Sequence, residues 1–209
     1  MKICDDPSFS FNTLTQEDIE NALLGIFGLD KVENPFEDVI EEDFFYNAVL
    51  WAHENGISNG MDDTHFIPTG MCNRAQIVTF LWRAMGKPAP TTTVNPFVDV
   101  IERDFFYDAV LWAHENGITN GVDATHFNPT GECNRAQAVT FLWRAVGEPE
   151  STADVDFTDV QPGQFYSAAV AWAFEKGITN GMGDGTFGVL ESCNRAQVVT
   201  FLYRALAPR

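Results

Sequence analysis

Cationic side chains are scarce in this sequence. Over 209 residues, 12 Lys and Arg stand against 30 Asp and Glu, a formal charge of −18. A field of that sign repels nucleic acid and anionic bilayers, which makes both poor partners. Long apolar runs are lacking too, and none approaches the roughly 18–20 residues of a membrane span. The opening Met1-Lys2-Ile3-Cys4-Asp5-Asp6 has no apolar stretch of the secretory kind, so the chain reads either as intracellular or, the preferred reading, as a piece of a longer protein. There are only 4 Cys and no Cys-x-x-Cys spacing, which removes the familiar zinc motifs. Neither a nucleophile–base arrangement, nor an assignable carboxylate pair, nor a glycine-rich phosphate loop occurs. An enzyme is therefore not expected, and no metal or cofactor is called for.

What the sequence has is ordinary globular composition, 45% hydrophobic and 20% charged, and a threefold internal repeat. Phe36-Glu37-Asp38-Val39 returns as Phe97-Val98-Asp99-Val100 and Phe157-Thr158-Asp159-Val160. Ala48-Val49-Leu50-Trp51-Ala52 returns as Ala109-Val110-Leu111-Trp112-Ala113 and Ala169-Val170-Ala171-Trp172-Ala173. Cys72-Asn73-Arg74-Ala75-Gln76 returns as Cys133-Asn134-Arg135-Ala136-Gln137 and Cys193-Asn194-Arg195-Ala196-Gln197. The spacing is 61 and then 60 residues in every block.

Each unit reads as helix, loop, helix. In the first, a helix follows Asp43 and stops at Asn55-Gly56; Ile57 to Pro68 forms a polar connection turning at Asp62-Asp63-Thr64; a second helix runs from Asn73 to Gly86. Asn73 with Gln76 makes an Asn-x-x-Gln capping box. The Pro-bearing runs Lys87 to Thr93 and Glu148 to Thr152 read as exposed connectors. Repeat boundaries fall at 35–90, 91–150 and 151–209. An extension over 1–34 carries one helix, Thr15 to Phe27, as a cap or the end of a preceding domain. A helix pair cannot bury its apolar face alone, so the fold class expected is all-α, three units sharing one core in a compact pseudo-threefold arrangement.

Half of the basic residues occupy two repeated positions. Arg83, Arg144 and Arg204 lie in the last helical turn, where a cation complements the macrodipole by about 0.3–1 kcal/mol, and need no ligand. Arg74, Arg135 and Arg195 lie at the first helical position, where the same dipole opposes them. The compensating anion is either an acid of this chain, Asp38, Asp99 and Asp159 or the loop acids Asp62, Asp63, Asp123 and Asp184, or a bound carboxylate. Free N–H groups at the helix start would assist the second.

The order Phe-x-Asp-Val, aromatic pair, Gly-Ile-x-x-Gly, Phe-x-Pro loop and Arg-Ala helix start resembles the S-layer homology family, whose members usually carry three tandem copies. The resemblance spans residues 36–207. It implies a central three-helix bundle with one helix from each unit, and grooves between units that hold a pyruvylated sugar of a secondary cell-wall polysaccharide. Its hallmark Thr-Arg-Ala-Glu stands here as Asn-Arg-Ala-Gln. Arg74, Arg135 and Arg195 then engage the acidic ligand, with Gln76, Gln137 and Gln197 in place of Glu. Replacing the three arginines by Ala is expected to abolish wall binding and leave helix content intact. Gly60, Gly121 and Gly181 would shape the loop walling each groove, or simply serve a turn. A flat apolar surface for the sugar could come from Trp51, Trp112 and Trp172, from Phe45, Phe106 and Phe165, or from Tyr46, Tyr107 and Tyr166; aromatics at helical spacing more commonly pack a core. The partner implied is a cell-wall polysaccharide, the setting extracellular, and the isolated module a monomer. The alternative is a structural or protein-interaction scaffold that kept the fold and lost the polymer.

The remaining repeated residues have plain readings. Cys72, Cys133 and Cys193 precede the cap as buried free thiols packing on Ile77, Ala138 and Val198. His53 with His114, and His65 with His126, read as packing residues, since the third unit has Phe174 and Thr186 there. The acidic loops read as Asx turns rather than calcium sites. Tyr203, Val189 and Gly163-Gln164 make the third unit the most divergent, and its groove is expected to bind most weakly.

Overall fold

The computed structural model describes residue 15 and residues 33–208. Apart from Thr15, the helix expected over Thr15 to Phe27 lies outside the described residues. The chain divides into two units, Met1–Asn34 and Pro35–Arg209. The second holds the six described helices, in pairs: α1 Tyr46–Glu54 and α2 Arg74–Ala84, α3 Tyr107–Glu115 and α4 Arg135–Ala145, α5 Ser167–Glu175 and α6 Arg195–Leu206. No strand occurs among the described residues, and the fold is all-α.

The start of each second helix is written in its sequence. The side chains of Asn73, Asn134 and Asn194 accept from the N–H groups of Gln76, Gln137 and Gln197 at 2.9, 2.8 and 2.8 Å. In return each Asn N–H donates to the Gln Oε1, at 3.0, 3.2 and 3.1 Å. Such a box stabilises a helix start by about 1 kcal/mol. The first helices have no side-chain cap. They are anchored by packing, with Ala48, Val49 and Ala52 buried in α1 and the matching residues buried in α3 and α5.

Helices α2, α4 and α6 pack against one another, with Leu81, Leu142 and Leu202 meeting near Ile77, Ala138 and Val198. Around them, α3 lies on α2, α5 on α4, and α1 on α6. The first helix of a repeat thus covers the second helix of the repeat before it, and the first repeat covers the third. Main-chain bonds carry the same handover. Arg74 N–H donates to Gly131 O at 3.0 Å, Arg135 N–H to Glu191 O at 2.9 Å, and Arg195 N–H to Gly70 O at 2.9 Å.

The connection inside each repeat is less polar than its sequence suggests. Ile57, Ile118 and Ile178, with Phe66, Phe127 and Phe187, are among the largest fully buried side chains. Only the tip between them faces water, because the segment lacks helical pitch yet still has to close the core. Asx turns form there as expected: Asp62 Oδ1 accepts from Thr64 N–H at 2.9 Å, and Asp123 and Asp184 repeat the bond.

Cys72, Cys133 and Cys193 are free and buried, as their position implied. Cys72 N–H donates to Cys193 O at 2.9 Å and Cys193 N–H to Cys133 O at 3.1 Å, so the three residues link the repeats. Burial pushes the Cys72 and Cys133 thiols up to about 12, and raises Cys193 as well. His53 and His114 pack edge-on against Phe36 and Phe97, where the third repeat sets Phe174 against Phe157. His65 and His126 do not pack. They face solvent and meet Asp62 and Asp123 at 3.1 and 3.0 Å.

Candidate functional site

Arg74, Arg135 and Arg195 are all but buried, at 3%, 3% and 4% exposure. Each reaches from its helix into the next repeat. Arg74 Nε donates to Phe127 O at 2.9 Å, Arg135 Nε to Phe187 O at 3.0 Å, and Arg195 Nε to Phe66 O at 2.7 Å. Each guanidinium also lies between two rings: Phe127 and Phe141, Phe187 and Phe201, Phe66 and Phe80. The helix-dipole penalty inferred for these arginines is thus met by a carbonyl dipole and two π-faces. Arg195 Nη2 further donates to Ser58 Oγ at 3.0 Å and Arg135 Nη2 to Thr179 Oγ1 at 3.4 Å, whereas the buried Arg74 Nη2 has no partner. Burial lowers the pKa of all three.

Two expectations are corrected here. Among the described residues, no carboxylate forms a salt bridge with these arginines. Asp38, Asp99 and Asp159 serve the clasp at one remove. Asp38 accepts from Phe66 N–H at 2.8 Å and Ile67 N–H at 2.7 Å, fixing the segment whose carbonyl takes Arg195. Asp99 and Asp159 do the same for Phe127 and Phe187. Nor are the helix-start amides of α2 and α6 free for an anion. Arg74 N–H and Ala75 N–H go to Gly131 O and Pro129 O, and Gln76 N–H goes to Asn73. Arg195 N–H and Ala196 N–H go likewise to Gly70 O and Pro68 O, and Arg135 N–H to Glu191 O, because each helix start sits in a joint between repeats.

What stays open lies beside the clasp. A cleft of about 320 Å³ is lined by Arg135, Gln197, Thr200, Phe201 and Arg204, by Thr179-Asn180-Gly181-Met182, and by Phe44. All three repeats contribute to it. It brings together three of the residues singled out in the sequence, Arg135, Gln197 and Gly181. Repeat equivalence pairs Arg74 with Gln137 and Gly121, and Arg195 with Gln76 and Gly60. Gly181 sits at φ 79°, and a Cβ there would stand 2.5 Å from Thr186 O and 2.5 Å from Phe157 Cε1, so the wall can be built only with glycine. Among the described residues no Asp or Glu lines the cleft, and two guanidinium groups do.

The tryptophans belong elsewhere. Trp112 and Trp172 are buried in the core, and Trp51 packs on it with an edge contact to Tyr203 at 5.7 Å. Their helical positions turn them inward, toward the bundle. The aromatic register also shifts. Phe165 matches Phe44 and Phe105, and Tyr166 matches Phe45 and Phe106, as the edge-on pairs 44–45, 105–106 and 165–166 show. Phe44, Phe105 and Phe165 are 70%, 65% and 55% exposed, unusual for phenylalanine.

Arg204, Asn180 and Phe44 are among the groove residues that sequence reasoning missed. Arg204 donates through Nη1 to Ile178 O at 3.0 Å, as Arg83 and Arg144 do to Ile57 and Ile118, and it also faces the groove. A signal existed in the recurrence of Ser58-Asn59-Gly60 as Thr119-Asn120-Gly121 and Thr179-Asn180-Gly181, a short polar run beside each buried clasp.

A model of the S-layer homology domain matches residues 35–78, 96–139 and 156–199. The chain belongs to that family. This S-layer homology module is 28% identical over 176 residues to a "Cell surface protein" of Thermoanaerobacter kivui, a match covering 82% of the chain and 21% of that protein. It is 32% identical over 118 residues to the "Surface-layer 125 kDa protein" of Lysinibacillus sphaericus, covering 55% and 10%. It is 30% identical over 110 residues to an "Endoglucanase" of Bacillus sp. (strain KSM-635), covering 53% and 12%. The chain therefore spans about a fifth or less of these relatives. Family and relatives place it among cell-surface anchoring modules. Among the described residues no helix is long and apolar enough to cross a membrane, and no cluster of His, Cys, Asp or Glu could hold a metal.

Proposed function

We propose that this S-layer homology module fastens its protein to the cell wall by holding the acidic, pyruvylated end of a secondary wall polysaccharide in its inter-repeat grooves. The observation that carries this reading is the acid-free cleft with Arg135 and Arg204 on a molecule of formal charge −18. A carboxylate ligand gains charge-assisted bonds there, against a surface whose overall charge is strongly negative. Asn180 offers amide hydrogen bonds to sugar hydroxyls, and the exposed face of Phe44 a surface for the ring. The clasp gives the guanidinium a fixed orientation before any ligand arrives, which lowers the entropy cost of binding. A scaffold without a ligand would account for the clasp, but not for an exposed phenylalanine and two cations around an acid-free cleft.

The test uses Asn59→Asp, Asn120→Asp and Asn180→Asp together. These positions are exposed, and the change is isosteric, so the fold is spared while a negative charge enters each groove. Sedimentation with purified cell walls should be lost, along with calorimetric binding of a pyruvylated monosaccharide, at an unaltered thermal midpoint. Undiminished sedimentation of the triple variant would refute the reading.

A further inference from the structure

Five Asn-Gly pairs occur in the sequence: Asn55-Gly56, Asn59-Gly60, Asn116-Gly117, Asn120-Gly121 and Asn180-Gly181. Asparagine before glycine is the most open setting for attack of the next main-chain nitrogen on the side-chain amide, because glycine has no Cβ to stand in the way. The structure divides the five into two kinds. Asn55 and Asn116, at the ends of α1 and α3, are tied at both reacting groups. Their Nδ2–H groups donate to Trp51 O and Trp112 O at 2.8 Å, and Gly56 N–H and Gly117 N–H donate to His53 O and His114 O at 3.0 Å. Asn59, Asn120 and Asn180 are exposed, and among the described residues no hydrogen bond holds their side-chain amides. The N–H groups of Gly60, Gly121 and Gly181 reach a hydroxyl at the long distances of 3.4, 3.2 and 3.2 Å.

The untied kind stands in the grooves. Asn180 lines the acid-free cleft with Arg135 and Arg204. Asn59 adjoins Ser58, whose hydroxyl holds Arg195, and repeat equivalence sets Asn120 beside Arg74. Glycine is fixed at each of these steps, since a Cβ on Gly60, Gly121 or Gly181 would stand 2.6, 2.4 or 2.5 Å from its nearest neighbour. The geometry of the groove wall thus demands the partner that makes its asparagine labile.

Resting on the polysaccharide reading above, we propose that Asn59, Asn120 and Asn180 are modification sites at which spontaneous deamidation switches each groove off. The glycine N–H gives up its proton and its nitrogen attacks the asparagine Cγ. The N–Cγ bond forms, the Cγ–Nδ2 bond breaks, and the amide nitrogen leaves as ammonia after taking up a proton. Water then opens the succinimide at either carbonyl, to aspartate or to its β-linked isomer, so one water is consumed for each ammonia released. Arg135 and Arg204 stabilise the negative charge that develops along the way at Asn180. The product sets a carboxylate in a cleft that has none among the described residues, and so cancels the field that favours an acidic sugar.

The test incubates the wild-type module in mildly alkaline buffer and applies peptide mass mapping and cell-wall sedimentation to the same samples. Asn59, Asn120 and Asn180 should convert at least about tenfold faster than Asn55 and Asn116, where two hydrogen bonds have to open first. Sedimentation with purified walls should decline in step with that conversion, at an unaltered thermal midpoint. A sample held as long in mildly acidic buffer, where the glycine nitrogen keeps its proton, should retain both its amides and its wall binding when assayed alongside. Equal conversion at all five asparagines, no conversion at the three in the grooves, or an equal loss of binding in the acidic sample overturns the proposal and leaves the polysaccharide reading standing. Complete conversion with undiminished sedimentation overturns both, as does fresh protein that never sediments with the walls.

Discussion

Replacing Arg135 by Ala tests whether the repeated arginines are ligand groups alone or also beams of the fold. Three losses follow from the structure. The Nε–H bond to Phe187 O, 3.0 Å long, is a charged hydrogen bond worth about 1.5–3 kcal/mol, and its loss orphans a carbonyl. The stacks on Phe187 and Phe201, at 5.0 and 5.2 Å from the ring centres, contribute about 1 kcal/mol each. Recovering the desolvation of a buried guanidinium offsets part of this, leaving a net cost of about 3 kcal/mol. For a unit of this size that lowers the thermal midpoint by roughly 6–12 °C. The three changes together cost about 8 kcal/mol, comparable to the roughly 5–15 kcal/mol that holds a domain together. The triple Arg→Ala protein should therefore lose its helical circular dichroism, contrary to what the sequence alone implied. Arg74→Ala should cost about 1 kcal/mol less than the others, because its Nη2 already lacks a partner. Urea and thermal unfolding followed by circular dichroism provide the numbers. A triple variant with wild-type helicity and a midpoint within about 2 °C would refute the clasp as a structural element.

Ile67 holds φ 56°, the left-handed region a β-branched residue avoids, where the other repeats place Asn128 and Gly188; Ile67→Asn should gain about 1 kcal/mol, read as a higher urea midpoint at constant slope. Gly121→Ala should cost at least about 2 kcal/mol, since its Cβ would stand 2.4 Å from His126 O and 2.6 Å from Phe97 Cε1; unaltered stability would show that the loop yields. Folding holds the Cys72 and Cys133 thiols at about 12 against an ordinary 9.0. Their stabilising contribution is complete below pH 9 and is lost as pH rises toward 12, at about 1.4 kcal/mol per pH unit per thiol. A Cys72→Ala/Cys133→Ala/Cys193→Ala variant should show a flatter alkaline limb, and identical limbs would count against it.

The sequence disclosed those features that each repeat encodes within itself. The Asn73–Gln76 box, the Asx turn at Asp62, the buried place of Cys72 and the helix pairing all follow from local chemistry, and three copies in constant register made them unmistakable. The misreadings concern partners that lie one repeat away. Arg74 is held by Phe127, 53 residues distant, and Arg195 by Phe66, 129 residues distant. No periodicity within a repeat points to a carbonyl in another. The same reason hid Arg204, which the dipole argument explained in full from its own helix. Phe44 was missed because sequence reasoning takes phenylalanine as interior, and its exposure emerges only once α1 is laid on α6.

The closing of the first repeat onto the third has a consequence for how such modules are inherited. The groove beside Arg135 draws Phe44, Arg135 and Asn180 from three different repeats. Deleting one repeat by recombination would therefore not leave two-thirds of the sites; it would leave none intact, together with two unmatched faces. Duplicating one repeat would insert a fourth member into a ring that already closes. Selection on surface anchoring thus acts on the triplet as a single gene segment, and it is the triplet, not the repeat, that can be copied productively onto a new surface protein.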